Sequence, residues 1–214
     1  MKNILFWGAV VLATSSVVMA QQDPQARAIL DGMSQTYQQI PSFTADIAYS
    51  MVNKTEDIDE SYEGTISVKG DMYRLNMAEQ EVINDGETVW TYLPDANEVN
   101  IDNHDAEAGD ITPSTIYDIY KDGYKYLLIN AITVGGKKFN VLDLVPNDKN
   151  AQYFKIRLEI GEGTSLLRQF TLFDKEGSEF SYLITNFKDN VNLSDDYFKF
   201  DVSKYNNVDI IDLR

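Results

Sequence analysis

The chain has 214 residues, and its 34 acidic against 18 basic side chains give a formal net charge of −16 at pH 7. This negative charge argues against binding nucleic acid, whose phosphates it would repel, and against resting on anionic lipid surfaces. With no cysteine in the sequence, the chain can form no disulfide and cannot itself be acylated at an amino-terminal cysteine.

The first twenty residues have the pattern of a signal peptide. Lys2 gives a positive start, residues 4–18 are mostly apolar, and Val18-Met19-Ala20 puts small residues at the positions that a signal peptidase reads. The alternative is a transmembrane anchor, but the apolar run falls short of the roughly 20 residues that an anchor needs. We therefore expect secretion with loss of residues 1–20, which leaves residues 21–214 as one soluble domain.

Two helices are predicted. Asp23-Pro24 is typical of a helix cap followed by a first-turn proline, and Pro41 ends that helix. Thr112-Pro113 repeats the start signal, and Asp122-Gly123 ends the second helix. The apolar stripes are Ile29, Leu30, Met33 and Tyr37 in the first helix, and Ile116, Ile119 and Tyr120 in the second.

Most of the remaining sequence alternates between apolar and polar residues, as half-buried antiparallel strands do. The strands are predicted near residues 43–51, 62–68, 73–77, 82–83, 88–93, 97–101, 124–129, 137–145, 152–160, 165–174, 178–187 and 208–211. So many consecutive strands must curl, because broad twisted sheets rarely stay flat. We expect a mainly β (α+β) fold: an incomplete antiparallel β-barrel of about 10–11 strands, with both helices across its concave side.

The sequence carries few signs of catalysis. His104, the only histidine, lies among Asp102, Asn103 and Asp105, where it could mark a metal site or simply a solvated acidic loop at 102–111. No second histidine completes a zinc set, and no calcium-loop spacing is present. Nucleophile elbows and phosphate loops are also missing. We expect a protein that is not an enzyme and has no metal and no cofactor.

Aromatic residues are abundant, with 13 tyrosines and 10 phenylalanines. The β preference of aromatic residues accounts for many of them. The functional alternative is a pocket for flexible alkyl chains, in which adaptable side chains such as Met33 would also serve.

Residues 63–94 carry a resemblance to a known family. A Gly-x-hydrophobic-x-Val-Lys strand ends at Lys69, a Tyr-x-hydrophobic strand begins at Tyr73, and a hairpin runs from Asp85-Gly86 to Trp90-Thr91-Tyr92 and Pro94. In this order the motifs resemble LolA, the periplasmic lipoprotein carrier family. Weaker matches extend from Pro41 to Asp212.

The resemblance implies a carrier that takes lipoprotein acyl chains into a cavity between a β-barrel and its helices. It implies acylated lipoproteins as cargo, an ATP-driven exporter in the inner membrane and an acceptor at the outer membrane as partners, and a periplasmic monomer. The expected lipid-binding residues are Met33, Tyr37, Tyr73, Leu75, Trp90, Tyr92, Ile116, Ile119 and Tyr120. A periplasmic binding protein for another lipid remains the alternative, because fold alone does not separate the two.

One position departs from the family pattern. The best-studied branch has an arginine directly after the Val-Lys pair, which holds the lid closed by hydrogen bonds, whereas Gly70 stands here. Arg74 is close by, but its strand parity is opposite to that of Tyr73 and Leu75, so it should point away from the cavity. We therefore expect closure to rest on apolar contacts of the second helix with Tyr73, Leu75 and Trp90.

Overall fold

The computed structural model describes residues 23–104 and 111–214. The predicted signal peptide, residues 1–20, and part of the acidic loop predicted at 102–111 lie outside the described residues. Among the described residues, no helix has the length and apolar character needed to cross a membrane.

Twelve strands of the described residues form one curved sheet. They are Ser42–Asn53 (β1), Ile58–Lys69 (β2), Met72–Met77 (β3), Gln80–Asn84 (β4), Thr88–Leu93 (β5), Glu98–Asn103 (β6), Tyr124–Val134 (β7), Lys137–Pro146 (β8), Tyr153–Gly161 (β9), Leu167–Asp174 (β10), Ser178–Asp189 (β11) and Asp209–Asp212 (β12). Their spatial order is β12-β6-β5-β4-β3-β2-β1-β11-β10-β9-β8-β7. The sheet does not close, since β12 and β7 are its two edges. This confirms the predicted incomplete barrel, with twelve strands in place of 10–11, and β12 departs from the antiparallel prediction by pairing parallel with β6.

The first helix, Pro24–Gln38 (α1), forms where the sequence predicts it. The Asp23 carboxylate accepts hydrogen bonds from the backbone N–H groups of Gln25 and Ala26, at 2.9 and 3.2 Å, and so caps the helix. Its second oxygen accepts the N–H of Leu128 in β7 at 3.0 Å. Capping and docking of the helix thus share one side chain.

The second predicted helix is not an α-helix. Residues 113–118 form turns, and a single 3-10 turn follows at Ile119–Lys121. The Thr115 hydroxyl accepts the backbone N–H of Thr112 at 2.9 Å, and such local bonds compete with helix formation. A segment this short also gains too few helical bonds to stabilise a helix by itself. We call residues 111–121 the lid.

The sheet buries side chains on both faces. The main core lies on the concave face, where the buried side of α1, namely Ala26, Leu30, Met33 and Tyr37, packs against the strands. A smaller core on the convex face joins Ile83, Val99 and Phe200. Residues 194–212, the C-terminal segment, cover that smaller core and end in β12.

Candidate functional site

An apolar cavity of about 170 Å³ lies between the concave face of the sheet and the lid. Strands β1, β2, β3, β10 and β11 supply its walls, and the lid supplies its cover. The lining residues are Phe43, Ile47, Ile66, Leu75, Met77, Ile111, Thr112, Pro113, Ile116, Tyr117, Phe170, Leu172, Tyr182 and Ile184.

Strand alternation and register explain this lining. Residues two apart on a strand share a face, so β10 contributes Phe170 and Leu172 while β11 contributes Tyr182 and Ile184. Directly opposed pairs place Phe170 beside Tyr182, and Ile184 beside Ile47 of β1. The cavity wall is therefore continuous across neighbouring strands.

A glycine lets two of these strands approach closely. Gly64 of β2 lies opposite Met77, and a Cβ at Gly64 would stand 2.3 Å from the carbonyl oxygen of Asn76. Any larger residue would therefore push β3 away from β2 at the edge of the cavity.

A row of aromatic rings continues from the cavity along the concave face. Phe170 stacks on Tyr182 with ring centroids 4.5 Å apart, Tyr49 follows at 5.1 Å, and Tyr62 lies 6.1 Å from Tyr49. Burial raises the pKa of Tyr182 to about 12, so this phenol is neutral at physiological pH. The row ends at Tyr62, which is 40% exposed.

The lid is attached to α1 by an aromatic stack. The rings of Tyr37 and Tyr117 lie nearly parallel with their centroids 3.6 Å apart, and both side chains are buried. Burial raises the pKa of each phenol, and the Tyr37 hydroxyl accepts the backbone N–H of Leu167 at 3.2 Å. Tyr37 thus connects the lid to β10 through α1.

Polar bonds reinforce this attachment. Asp118 of the lid accepts hydrogen bonds from Ser34 and Gln38 of α1, and Tyr120 donates to Asp31 at 2.7 Å. Burial acts to raise the pKa of Asp118, but its bonds to Lys121, Ser34 and Gln38 outweigh it and hold that pKa below the usual range. The lid carboxylate therefore stays ionised at neutral pH.

The position of the family's arginine borders a crevice beside the lid. Gly70 and Asp71 form one side of this crevice, and Ser114 and Asp118 of the lid form the other. Gly70 has φ +57°, a left-handed turn conformation. In this chain the lid is tied to α1 across the crevice from Gly70.

Seven of the nine predicted lipid-binding residues meet in the concave core. Met33, Tyr37, Tyr73, Ile116 and Tyr120 are buried there, and Leu75 and Ile119 pack against them. Of the seven, Leu75 and Ile116 line the cavity itself. The contact of these residues with lipid remains a prediction.

Trp90 and Tyr92 do not belong to this group, and the prediction that Trp90 shares a face with Tyr73 and Leu75 is wrong. Trp90 pairs with Ile83, which pairs with Arg74, so all three project from the convex face. Trp90 and Tyr92 pack there against the smaller core around Phe200. The lid contact predicted for Trp90 is therefore wrong as well.

Arg74 points away from the cavity, as its strand parity predicts. Its guanidinium forms an ion pair with Glu81 at 2.6 Å and donates to the backbone carbonyl oxygen of Tyr197 at 2.9 Å. It also lies over the Tyr197 ring, 5.0 Å from the centroid. Arg74 thus fastens the C-terminal segment to the convex face.

Sequence reasoning missed most of the cavity wall. Phe170, Leu172, Tyr182 and Ile184 follow the alternation that predicted their strands, but only the register shows that they meet β1. Tyr117 gave no signal, because it lies outside the helical stripe assumed for the lid.

His104 directly follows β6 and contacts Asn84 and Glu87, near the connection between β4 and β5. Its Nδ1 lies 3.1 Å from the Asn84 amide nitrogen, and its backbone N–H donates to the carbonyl oxygen of Glu87 at 2.8 Å. In the part of the chain that the structure describes, no group of His, Asp and Glu side chains is arranged to hold a metal ion.

Comparisons with known proteins agree with this architecture. The family model described as "Outer membrane lipoprotein carrier protein LolA" matches residues 42–201. An outer-membrane lipoprotein carrier protein from Pasteurella multocida (strain Pm70) is 27% identical over 178 residues, which cover 80% of this chain and 82% of that protein.

A solved structure shows the same fold. This uncharacterized conserved protein from Thermus thermophilus superposes with a TM-score of 0.60 at 13% identity, over 88% of this chain and 99% of that one. A LolA superfamily protein from Nitrosomonas europaea gives 0.44 at 14% identity, over 82% and 97%. Because the family model covers most of the sequence and the lidded half-barrel is present, the chain belongs to the LolA family of outer membrane lipoprotein carrier proteins.

Proposed function

We propose that this protein is a periplasmic carrier that binds the acyl chains of lipoproteins and delivers them from the inner to the outer membrane without catalysing a reaction. The observation that carries the proposal is the apolar cavity between the curved sheet and the lid, in a chain of this family. An ATP-driven exporter would load the carrier, and an acceptor at the outer membrane would unload it.

The cavity provides the chemistry that a carrier needs. Burial of each methylene of an acyl chain is worth about 0.8 kcal/mol, so a lipoprotein anchor does not cross water unaided. A wall of aliphatic and aromatic side chains such as Leu75, Leu172 and Phe170 shelters methylenes without fixing one geometry. Met77 adds an adaptable thioether at the edge of the cavity.

Loading requires the lid to move. The closed cavity of about 170 Å³ is smaller than the roughly 300–1,000 Å³ typical of small-molecule pockets. The lid side chains Ile111, Ile116 and Tyr117 line this cavity, and Ile116 and Tyr117 are buried against the rest of its wall. Cargo thus competes with the lid for the same apolar wall, which keeps binding reversible.

Depletion of the protein in its own bacterium tests the delivery role. We expect acylated lipoproteins to accumulate in the inner membrane when membranes are separated and probed. If lipoprotein distribution is unchanged and mass spectrometry finds a different lipid in the purified protein, the alternative of a binding protein for that lipid replaces this proposal.

A binding assay tests the cavity. A fluorescent fatty acid should bind at micromolar concentration and be displaced by a synthetic triacylated lipopeptide. Leu75→Gln, in the cavity wall, should weaken binding. Leu213→Gln, at a position 60% exposed, makes the same chemical change away from the cavity and should leave binding unchanged.

A further inference from the structure

Half of β2 has a free edge in the middle of the sheet. β2 pairs with β1 along its whole length, from Ile58 to Lys69, but with β3 only from Gly64 to Lys69. Within residues 23–104 and 111–214, nothing pairs with Ile58–Glu63 on that second side. We call residues 58–63 the β2 notch; they present the unpaired backbone groups of a sheet edge.

The notch is exposed and acidic on both faces. Residues 59–63 are all exposed. Glu60 shares the concave face with Tyr62, while Asp59 and Glu63 project from the convex face. Glu79, in the turn after β3, is close enough that its charge, after that of Glu60, raises the pKa of the Tyr62 phenol.

These charges determine what can bind the edge. Among the described residues, none of the carboxylates of Asp59, Glu60, Glu63 and Glu79 has an ion-pair partner. A second copy of the notch would bring like charges into opposition across the new strand pair, which is destabilising. An added strand must instead carry positive charge, and carry it on both of its faces.

The notch adjoins the cavity. Met77 lines the cavity, pairs with Gly64 and is the last residue of β3, so the cavity wall ends where the notch begins. The aromatic row from the cavity also ends in the notch, at Tyr62. A peptide whose acyl chains lie in the cavity can therefore reach the free edge directly.

We propose that the β2 notch binds, as an added β-strand, a basic extended peptide segment that follows the acylated residue of the cargo. This inference rests on the proposed function. Six residues of strand span roughly 20 Å, enough for a short tail. Because the acyl chains hold the tail beside the edge, a contact too weak to bind alone contributes to retention through effective concentration.

Three synthetic probes test the proposal on the purified protein. The first is a triacylated Cys-Ser peptide ending in four lysines, the second has four glycines in their place, and the third is the lysine peptide without acyl chains. We expect the lysine lipopeptide to bind about five- to tenfold more tightly than the glycine lipopeptide at low salt, as a few exposed ion pairs would give. Added salt should reduce this ratio, and the unacylated peptide should bind at least about tenfold more weakly than the lysine lipopeptide.

Matched variants locate the effect. Neutralising the notch with Asp59→Asn, Glu60→Gln and Glu63→Gln should remove the preference for lysine and leave binding of the glycine lipopeptide unchanged. The control Glu87→Gln, Asp95→Asn and Glu162→Gln removes the same charge at exposed sites elsewhere. It should keep most of the preference.

Hydrogen exchange separates strand addition from simple charge attraction. The lysine lipopeptide should slow amide exchange in residues 58–63 more than the glycine lipopeptide does. Equal affinity of both lipopeptides, or a preference without protection of the notch, would overturn this inference while leaving carriage intact. Failure of both lipopeptides to bind would instead overturn the proposed function and this inference with it. If the unacylated lysine peptide protects the notch as well as the lipopeptide does, the occupant is a strand of a partner protein and not the cargo tail.

Discussion

Removal of the Tyr117 ring should release the lid without unfolding the sheet. Tyr117 is buried, stacks on Tyr37 at 3.6 Å and lines the cavity. In Tyr117→Ala, the lid keeps its polar bonds through Asp118 and Tyr120 but loses its aromatic stack on Tyr37 of α1.

The size of this loss follows from the ring. Replacing a buried aromatic side chain by alanine costs roughly 3–5 kcal/mol, of which stacking accounts for about 0.5–1.5 kcal/mol. Since the lid forms no strand of the sheet, we assign most of this loss to the equilibrium between closed and open lid. At about 1.4 kcal/mol for each tenfold change, the open population should rise by roughly two orders of magnitude.

Hydrogen exchange of residues 111–121 and stopped-flow release of a fluorescent fatty acid measure the effect. Both should become faster in Tyr117→Ala, and the denaturation midpoint should fall as well, because the closed state that the substitution destabilises is also the state that unfolds. Phe200→Ala is the matched control, because it deletes a buried ring from the convex face, where Phe200 stacks on Tyr205 at 4.5 Å. It should lower global stability and leave lid exchange unchanged. If Tyr117→Ala lowers the midpoint as Phe200→Ala does and leaves lid exchange unchanged, Tyr117 belongs to the global core and the reasoning fails.

Three further predictions follow from the two faces of the sheet and from burial of the lid. Arg74→Leu should lower the free energy of unfolding by about 1–3 kcal/mol, because it breaks a part-buried ion pair under the C-terminal segment. It should leave the dissociation constant for a fatty acid unchanged. A weaker affinity for the fatty acid would instead give Arg74 a part in opening the lid. Trp90 is the only tryptophan of residues 21–214. In a protein of these residues, a brominated fatty acid should not quench the fluorescence of Trp90, whereas it should quench an indole introduced by Leu75→Trp. Quenching of Trp90 would contradict the register of β4 and β5. Burial raises the pKa of Tyr117, so the folded state keeps this proton while the unfolded state loses it above about pH 10, and stability falls as pH rises through that range. The free energy of unfolding of Tyr117→Phe, measured by urea titration between pH 10 and 12, should fall less steeply than that of the wild type, by about 1.4 kcal/mol per pH unit. An equal slope in both proteins would show that the pKa of Tyr117 does not change on folding.

Local patterns in the sequence predicted the elements well. Alternation located the strands, and the cap at Asp23 with Pro24 located α1, because these signals depend on neighbouring residues alone. The lid was predicted as a helix because Ile116 and Ile119 have helical spacing. Hydroxyl bonds between Thr112 and Thr115 and packing against α1 gave turns in its place.

The candidate site was harder to predict. Parity within one strand separates Leu75 from Arg74 correctly, since alternation is a local property. The face on which Trp90 lies depends on the pairing register of β4 and β5, and the sequence of the hairpin alone does not determine that register. A change of one residue in register exchanges the two faces of a strand, and Trp90 accordingly lies on the convex face.

The sequence by itself predicted a signal peptide, and it determined a mainly β chain with one capped helix and a resemblance to lipoprotein carriers. The tertiary structure alone decided which alternating faces meet, because contacts such as Ile47 with Ile184 join strands far apart in the chain. It also decided that Tyr117 and Asp118 hold the lid against α1. The structure alone showed that β3 is too short to pair with the whole of β2, which leaves an acidic edge of β2 free. Strand lengths and pairings depend on the free energy of the whole sheet, which no local window of the sequence contains.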